Sequence, residues 1–428
     1  MLFLKGGQIL IGLLLVPLTL NYVDSDTYGI WLTISSMVAW ISFFDIGINN
    51  GLKNKLTEAL AQGDIAKAQA YVSTTYAILS LIFLPLMVVL LLVIPFVDWQ
   101  SVLNVSNVEV ETLVCSMVIV VVYFCINFIF STINIVMLAD QRPASQSFRT
   151  FVQQLLTLVV IFVMTKFVPG SLINLCLALC LCPLVIMILF NITLFNGRYK
   201  KIRPTWLSVN FKLAPDLLKL GVMFFIIQIA GVIQYQMTNF LIIHHFGASE
   251  VTAYNIAYKY FNVAYMVWGI LTTPIWAAVA DSIAKGDFEW IRSTVKKYEK
   301  VFLLFVAGML VMFVLSQYAY KLWIGDAVSV GVSLSFWVMM FNLTFMFGNI
   351  YVSVLNGASI LKVQTIASVI SPFVFLVVSL ALIKLGMGTV SIIIASIIAN
   401  FNGLILAPIQ YRRFINQENG IANKLHIN

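Results

Sequence analysis

Residues 71–96 read YVSTTYAILSLIFLPLMVVLLLVIPF, a run without one Asp, Glu, Lys or Arg. Wound as a helix at about 1.5 Å per residue it is roughly 39 Å long, enough to cross the ~30 Å hydrocarbon core of a bilayer with some tilt. Lipid cannot satisfy a bare backbone, so such a run is helical. Outward from it the pattern recurs along the whole chain and predicts twelve spans: 2–21, 28–48, 71–96, 110–138, 149–168, 171–195, 217–244, 252–280, 300–320, 331–356, 363–384 and 389–410. Only 10% of residues are charged, 61% are apolar, and the mean hydropathy is +0.98. Spread over twelve spans, 428 residues leave about 36 for each span and its connection, and little for a soluble domain. Pro17, Pro85, Pro183, Pro274 and Pro372 fall inside spans, where neighbouring helices re-satisfy the freed backbone groups.

The basic residues set the orientation. With the N-terminus inside, all of the 25 Lys and Arg except Lys166, Lys259, Lys321 and Lys384 fall in inner loops or at inner helix ends. Cytoplasmic loops concentrate such residues, so both termini are expected in the cytoplasm. Asp24, Asp26 and Asp98 then lie outside, and the longest outer stretch is 97–109. The net charge of +8 is accounted for by topology and gives no reason to invoke nucleic acid. All five cysteines lie within apolar spans, where a thiol behaves as a small hydrophobe. Cys176 and Cys180 share a helix face, but no histidine or carboxylate falls near them, so packing is expected and no metal site. Span 2–21 has no small-residue cleavage site and no signal peptide is expected.

Two halves emerge. Residues 1–196 form one six-helix lobe, 197–216 a basic cytoplasmic linker, and 217–428 a second six-helix lobe. Ala61-Gln62-Gly63-Asp64 follows the second span and Ala284-Lys285-Gly286-Asp287 the eighth. Six spans is an even number, so the halves share one orientation. The expected fold is all-α, about twelve transmembrane helices in two six-helix lobes, a parallel repeat around a central cavity, as in transporters that rock two lobes.

Asp26-Thr27-Tyr28-Gly29-Ile30-Trp31, then Asp45-Ile46-Gly47-Ile48-Asn49-Asn50-Gly51-Leu52-Lys53, then Ala61-Gln62-Gly63-Asp64, resembles the first half of the polysaccharide-export, Wzx-type O-antigen flippases. These belong to the multidrug/oligosaccharidyl-lipid/polysaccharide (MOP) superfamily. Phe246-Gly247-Ala248-Ser249-Glu250-Val251-Thr252-Ala253-Tyr254 resembles their second-half entry loop. Two departures are a short lead before span 1 and a stop at twelve spans where some members have fourteen. The resemblance implies a V-shaped pair of lobes that carries a polyprenyl-diphosphate-linked oligosaccharide across the bacterial cytoplasmic (inner) membrane. Implied partners are that lipid-linked substrate, membrane lipid, and the polysaccharide polymerase and chain-length machinery.

The residues offer candidates of their own. Lys259 sits about 10 Å into its span, where a charge is costly unless it faces a watery cavity or a partner. Asn255 and Asn262 share its face. Lys259 either attracts a diphosphate or acidic sugar, or pairs with a carboxylate or snorkels to the surface. Carboxamide stripes recur with Asn342, Asn349 and Asn356 in one span, Gln228, Tyr235 and Asn239 in another, and Asn127, Ser131 and Asn134 in a third. Such groups suit sugar hydroxyls, or glue helices together. Tyr254, Tyr258, Phe261, Tyr265 and Trp268 form an aromatic stripe, open to sugar stacking or to packing. Asp45 is a possible ion-coupling residue, or a surface partner of Lys53 or Lys55. Asp140 and Asp281 read as interfacial, and His244 and His245 as the outer end of a span.

No catalytic or cofactor motif is present: no His-Glu-x-x-His, no phosphate loop, no carboxylate pair within a span. Substrate-binding candidates are therefore Lys259, Asn255, Asn262, Gln228, Asn239, Asn342 and Asn349, with neither catalytic residues nor cofactors. Alternatives to a flippase are a cation-coupled multidrug exporter of the same superfamily, a lipid II flippase, and a polysaccharide polymerase or ligase. Cationic drugs favour acidic cavities, and the polymerase or ligase would need richer outer loops.

Overall fold

The computed structural model describes residues 2–39, 48–217, 236–272, 275–358, 360 and 362–425, with no strand among them. The helices are α1 (Leu2–Tyr22), α2 (Ser25–Val38), α3 (Ile48–Ala61), α4 (Ile65–Val93), α5 (Trp99–Leu103), α6 (Val110–Phe130), α7 (Thr132–Ala139), α8 (Pro143–Phe167) and α9 (Leu172–Asn196). They continue with α10 (236–246), α11 (Ala248–Thr272), α12 (Ile275–Ala284), α13 (Phe288–Ile324), α14 (Val332–Gly357), α15 (Lys362–Lys384), α16 (Val390–Ala399) and α17 (Ala407–Leu425).

Among the described residues, eight helices are long and apolar enough to cross a membrane; the pair Val390–Ala399 and Asn402–Asn416, bent by 44°, is apolar enough together to be a broken ninth span or a re-entrant loop. The expected spans 28–48 and 217–244 run into residues outside the description. The remaining one, 252–280, begins in α11, which Asn255, Lys259, Asn262 and its tyrosines make more polar than the others. Prolines 17, 85, 183 and 372 sit inside α1, α4, α9 and α15 as expected; Pro274 lies outside the described residues.

The chain divides into two compact units, Met1–Thr252 and Ala253–Asn428. In the first, α1 packs on α8, α8 on α9, α9 on α6, α6 on α4 and α4 on α3. The stretch predicted as a basic loop after span 2 is instead the helix α3. Leu52, Leu56 and Ala59 recur at helical spacing and are fully buried against Tyr71, Ile133, Val136 and Met137, while Lys53 stays exposed. The segment predicted as a linker is a strap fastened to α4. The Thr205 N–H donates to Ser73 Oγ (3.1 Å), the Asn210 N–H to Thr74 Oγ1 (2.9 Å), and Gln69 Nε2 to the Arg203 carbonyl (2.9 Å). Tyr199 and Ile202 at its start join the buried core, whereas the Trp206 and Leu207 side chains stand exposed.

The two Gly-Asp tetrapeptides fold alike. Gly63 and Gly286 both take φ +72°. The Gly63 and Asp64 N–H groups donate to the Leu60 and Ala59 carbonyls, and those of Gly286 and Asp287 to Ile283 and Ser282. Each is a Schellman ending that satisfies the last carbonyls of α3 or α12. Asp64 Oδ1 then accepts from the Lys67 N–H (2.9 Å) and Asp287 Oδ1 from Trp290 (2.9 Å), capping α4 and α13. Gly286→Ala is expected to lower stability by about 1 kcal/mol through the left-handed backbone, and Asp287→Ala by about 1 kcal/mol through the lost cap. Melting of the purified protein checks both; unchanged melting of either would refute that turn's contribution.

In the second unit α14 is central, packing against α12, α13, α16, α17 and the π-turn Asn402–Leu406. A Cβ on Gly348 would lie 2.7 Å from Gly403 Cα, so this crossing depends on small residues, as helix contacts in membranes do. The helix α13 starts at Phe288, well before the predicted 300. Ile291 and Val295 are buried while Lys296 and Lys297 are exposed, so an amphipathic foot precedes the apolar span.

Candidate functional site

The second unit carries most of the predicted residues. Asn255, Lys259 and Asn262 lie half-buried along one face of α11, while Ile256, Ala257, Phe261 and Trp268 on other faces are fully buried. Trp268 packs edge-on against Tyr298, Phe302 and Phe305 at ring distances of 5.1–6.2 Å. For Trp268, then, the packing role is the one seen. On α14, Asn342 is buried and its Nδ2 donates back to the Val338 carbonyl (2.9 Å). Asn349 Oδ1 and Asn356 Oδ1 are buried without a hydrogen-bond partner among the described residues. Each such orphan acceptor costs about 1–3 kcal/mol, so the inner face of α14 is poised to accept hydrogen bonds. Tyr351 Oη, also on α14, donates to Glu299 Oε1 (2.7 Å), a pair the sequence did not suggest.

In the first unit, Asn239 on α10 donates through Nδ2 to Ser36 Oγ of α2 (2.7 Å). Thr252 Oγ1 donates to the Ser25 carbonyl (2.6 Å). A Cβ on Gly29 would fall on the Ala248 carbonyl, so α2 meets the start of α11 backbone to backbone. Asp45 and Gln228 lie outside the described residues. Asp140 sits as expected at a helix end, where it accepts from Arg198 Nε (2.9 Å) and Tyr199 Oη (3.0 Å) and lies 3.2 Å from Arg142 Nε. The hydrogen bond to Asp140 holds the Arg198 guanidinium above its usual value. Burial, reinforced by Asp140, pushes the Tyr199 phenol up to about 12. His244 Nδ1 lies 3.4 Å from the Val102 carbonyl, and Asn104 Nδ2 donates to the His244 carbonyl (3.1 Å).

The first unit also has an open-sided cavity of about 300 Å³ whose polar lining is Trp31 and Ser35 from α2, Tyr123 from α6, and Gln153, Gln154 and Thr157 from α8. Beside it lies Arg149, only 6% exposed. By sequence alone Arg149 counts among the inner-side cations; the structure puts it inside the bundle. Its Nε donates to Asn134 Oδ1 (2.9 Å), its Nη1 to Gln153 Oε1 (2.7 Å) and its Nη2 to Thr150 Oγ1 (3.3 Å). Among the described residues no carboxylate pairs with it. A signal was present: residues 149, 153 and 157 repeat at four-residue spacing, the polar face of one helix.

The fold has clear relatives among solved structures. It is similar to the inward-facing conformation of a multidrug resistance MATE family transporter of the MOP superfamily, with a TM-score of 0.80 and 13% identity, covering 96% of each chain. An outward-facing MATE structure of the same superfamily gives 0.63 at 13% identity, over 97% of this chain and 99% of that one. A MOP superfamily transporter from Pyrococcus furiosus, described as having a binding pocket of reverse polarity that suggests a different function, gives 0.60 at 14% identity, over 97% and 99%. The sequence matches no protein-family model and no curated protein. The chain is thus a multi-span membrane protein with the two-lobed, all-helical fold of MATE transporters.

Proposed function

We propose that this chain is a flippase, not an enzyme, that moves a polyprenyl-diphosphate-linked oligosaccharide by alternating access. The cargo would be an O-antigen, capsule or related polysaccharide unit, carried from the cytoplasmic to the periplasmic leaflet of a bacterial inner membrane. A shared fold does not fix a substrate, so the reading rests on the site. The observation that carries it is the sign of charge inside the bundles. Arg149 is buried without a carboxylate among the described residues, and Lys259 lies on a half-buried face with two carboxamides. Of the twelve predicted spans only 28–48 and 110–138 hold an acidic residue, Asp45 and Glu111, each near a span end; the foot of α13 adds Glu289 and Glu299, the latter already hydrogen-bonded to Tyr351. Interiors of this kind favour an anionic head group and reject a cationic drug. The Pyrococcus furiosus transporter, with its pocket of reverse polarity, supports a division of functions by charge within this fold.

On this reading Lys259 draws in the diphosphate or an acidic sugar. Asn255, Asn262, Gln228, Asn239, Asn342 and Asn349 hydrogen-bond sugar hydroxyls, and Asp45 takes a coupling ion. The polyprenyl tail slides in the bilayer while the head crosses. Both termini face the cytoplasm, and the product passes to the polymerase and chain-length machinery. One observation favours the second reading, a multidrug exporter: a solved structure of high similarity is a multidrug resistance transporter. Lipid analysis of cells lacking this chain separates the two. Polyprenyl-diphosphate oligosaccharide accumulating in the inner leaflet, with loss of surface polysaccharide, is the expected result. No accumulation, with altered drug tolerance instead, overturns the flippase and supports the exporter.

A further inference from the structure

The cavity within the first unit adjoins a cation, Arg149, that is buried without a carboxylate among the described residues. We infer that the cavity is a binding pocket for an acidic head group, a sugar acid or the diphosphate, with Arg149 as the positioning cation behind it; the choice of a glycan ligand rests on the flippase reading. A volume of about 300 Å³ stands at the lower end of the roughly 300–1,000 Å³ usual for small-molecule sites, the size of a single sugar. Its lining is mostly apolar, with aromatic faces from Trp31, Tyr123 and Phe124 beside aliphatic side chains, and adds the polar ends of Ser35, Gln153, Gln154 and Thr157; it contains no charged side chain. Sugars present two opposed needs: apolar ring faces that stack on aromatics, and hydroxyl edges that both donate and accept.

The hydrogen bonds fix which lining groups do what. A guanidinium only donates, so Gln153 must turn its oxygen to Arg149 and keep its NH2 as a donor. Gln154 Oε1 is buried with no partner among the described residues, an acceptor awaiting a hydroxyl. Arg149 has five N–H groups, of which the bonds to Asn134, Gln153 and Thr150 use one each. Its charge, removed from water and answered only by neutral amides and a hydroxyl, is costly unless something anionic completes it. A charged side chain within a span normally marks a substrate pathway. Arg149 does not line the cavity; an anion held there would sit one carboxamide, Gln153, away from the guanidinium and would offset its charge across that gap.

The test uses the full-length protein in lipid nanodiscs, with glucuronate, glucose and inorganic pyrophosphate as probes in ligand-observed NMR titrations. Glucuronate is expected to bind, and glucose to bind roughly tenfold more weakly, the order of a Coulomb attraction acting across one intervening amide. Arg149→Gln should erase that preference and Arg149→Lys should keep part of it, a split that a merely structural role would not give. Trp31→Ala and Gln154→Leu, which leave the Arg149 bonds intact, should weaken glucuronate binding even if Arg149→Gln fails to fold. Pyrophosphate displacing glucuronate at equal or lower concentration would assign the pocket to the diphosphate; failure to displace it would assign the pocket to the sugar acid. Neither anion binding, or both binding equally to wild type and to the Trp31 and Gln154 variants, overturns the pocket. Anion binding that persists while deletion cells accumulate no lipid-linked oligosaccharide would leave the pocket standing and remove the flippase.

Discussion

Lys259→Ala is expected to abolish display of surface polysaccharide while leaving the amount of protein in the membrane unchanged. Lys259 lies on the half-buried face of α11 with Asn255 and Asn262; on the flippase reading, its ammonium is the group that a passing head group would meet. Losing a charge-assisted contact of about 1.5–3 kcal/mol to a phosphate or carboxylate lowers flux roughly 10–100-fold. Insertion works the other way, because a lysine within a span disfavours insertion, by about 2.5–3.5 kcal/mol at the centre and by less nearer an end. Loss of transport in a variant that inserts at least as well therefore reports function. Lys259→Arg retains the charge and should retain part of the flux. Normal polysaccharide display in the Ala variant would remove Lys259 from the transport path.

Gly29→Val should cost about 1–3 kcal/mol of stability, the range for forcing atoms into a packed contact. A Cβ at Gly29 would fall on the Ala248 carbonyl and lie 3.1 Å from Thr252 Oγ1. Backbone cannot swing aside as a side chain does, so α2 must move. Movement also strains the bonds from Asn239 to Ser36 and from Thr252 to Ser25, each worth about 1 kcal/mol. Gly12, where an added Cβ meets nothing within 4 Å, supplies the control. Equal melting of Gly29→Val and Gly12→Val would show that the α2 contact is not tight.

The spans were legible because lipid leaves so few options. A long apolar run has to be a helix, and α4, α6, α8, α9, α14 and α15 follow the predicted runs closely. What escaped was whatever mixes charge with helix. Hydropathy stops at the first lysines, yet α3 and the foot of α13 continue because Leu52, Leu56, Ile291 and Val295 still recur on a buried face. The strap from Tyr199 to Asn210 looked like a linker because its grip on α4 runs through backbone N–H groups, which composition does not reveal. Asn134 was visible on a polar stripe, but its partner Arg149 stands on another helix and was counted only by its sign. The carboxamides of α14 were readable as a column; that Asn342 turns its NH2 back to its own helix while Asn349 and Asn356 keep oxygens without a partner among the described residues is decided by packing.

The twin turns at Gly63 and Gly286 bear on descent. Around them the side chains differ, Gln62 against Lys285 and Ile65 against Phe288, so core contacts have been free to drift apart. The glycine at positive φ and the aspartate after it are the same at both places, where glycine suits the backbone best and aspartate is among the better caps. If the chain arose by duplication and fusion of a six-helix ancestor, its record would survive in main-chain conformation, at two turns where most replacements carry a cost, long after ordinary similarity between the copies had worn away.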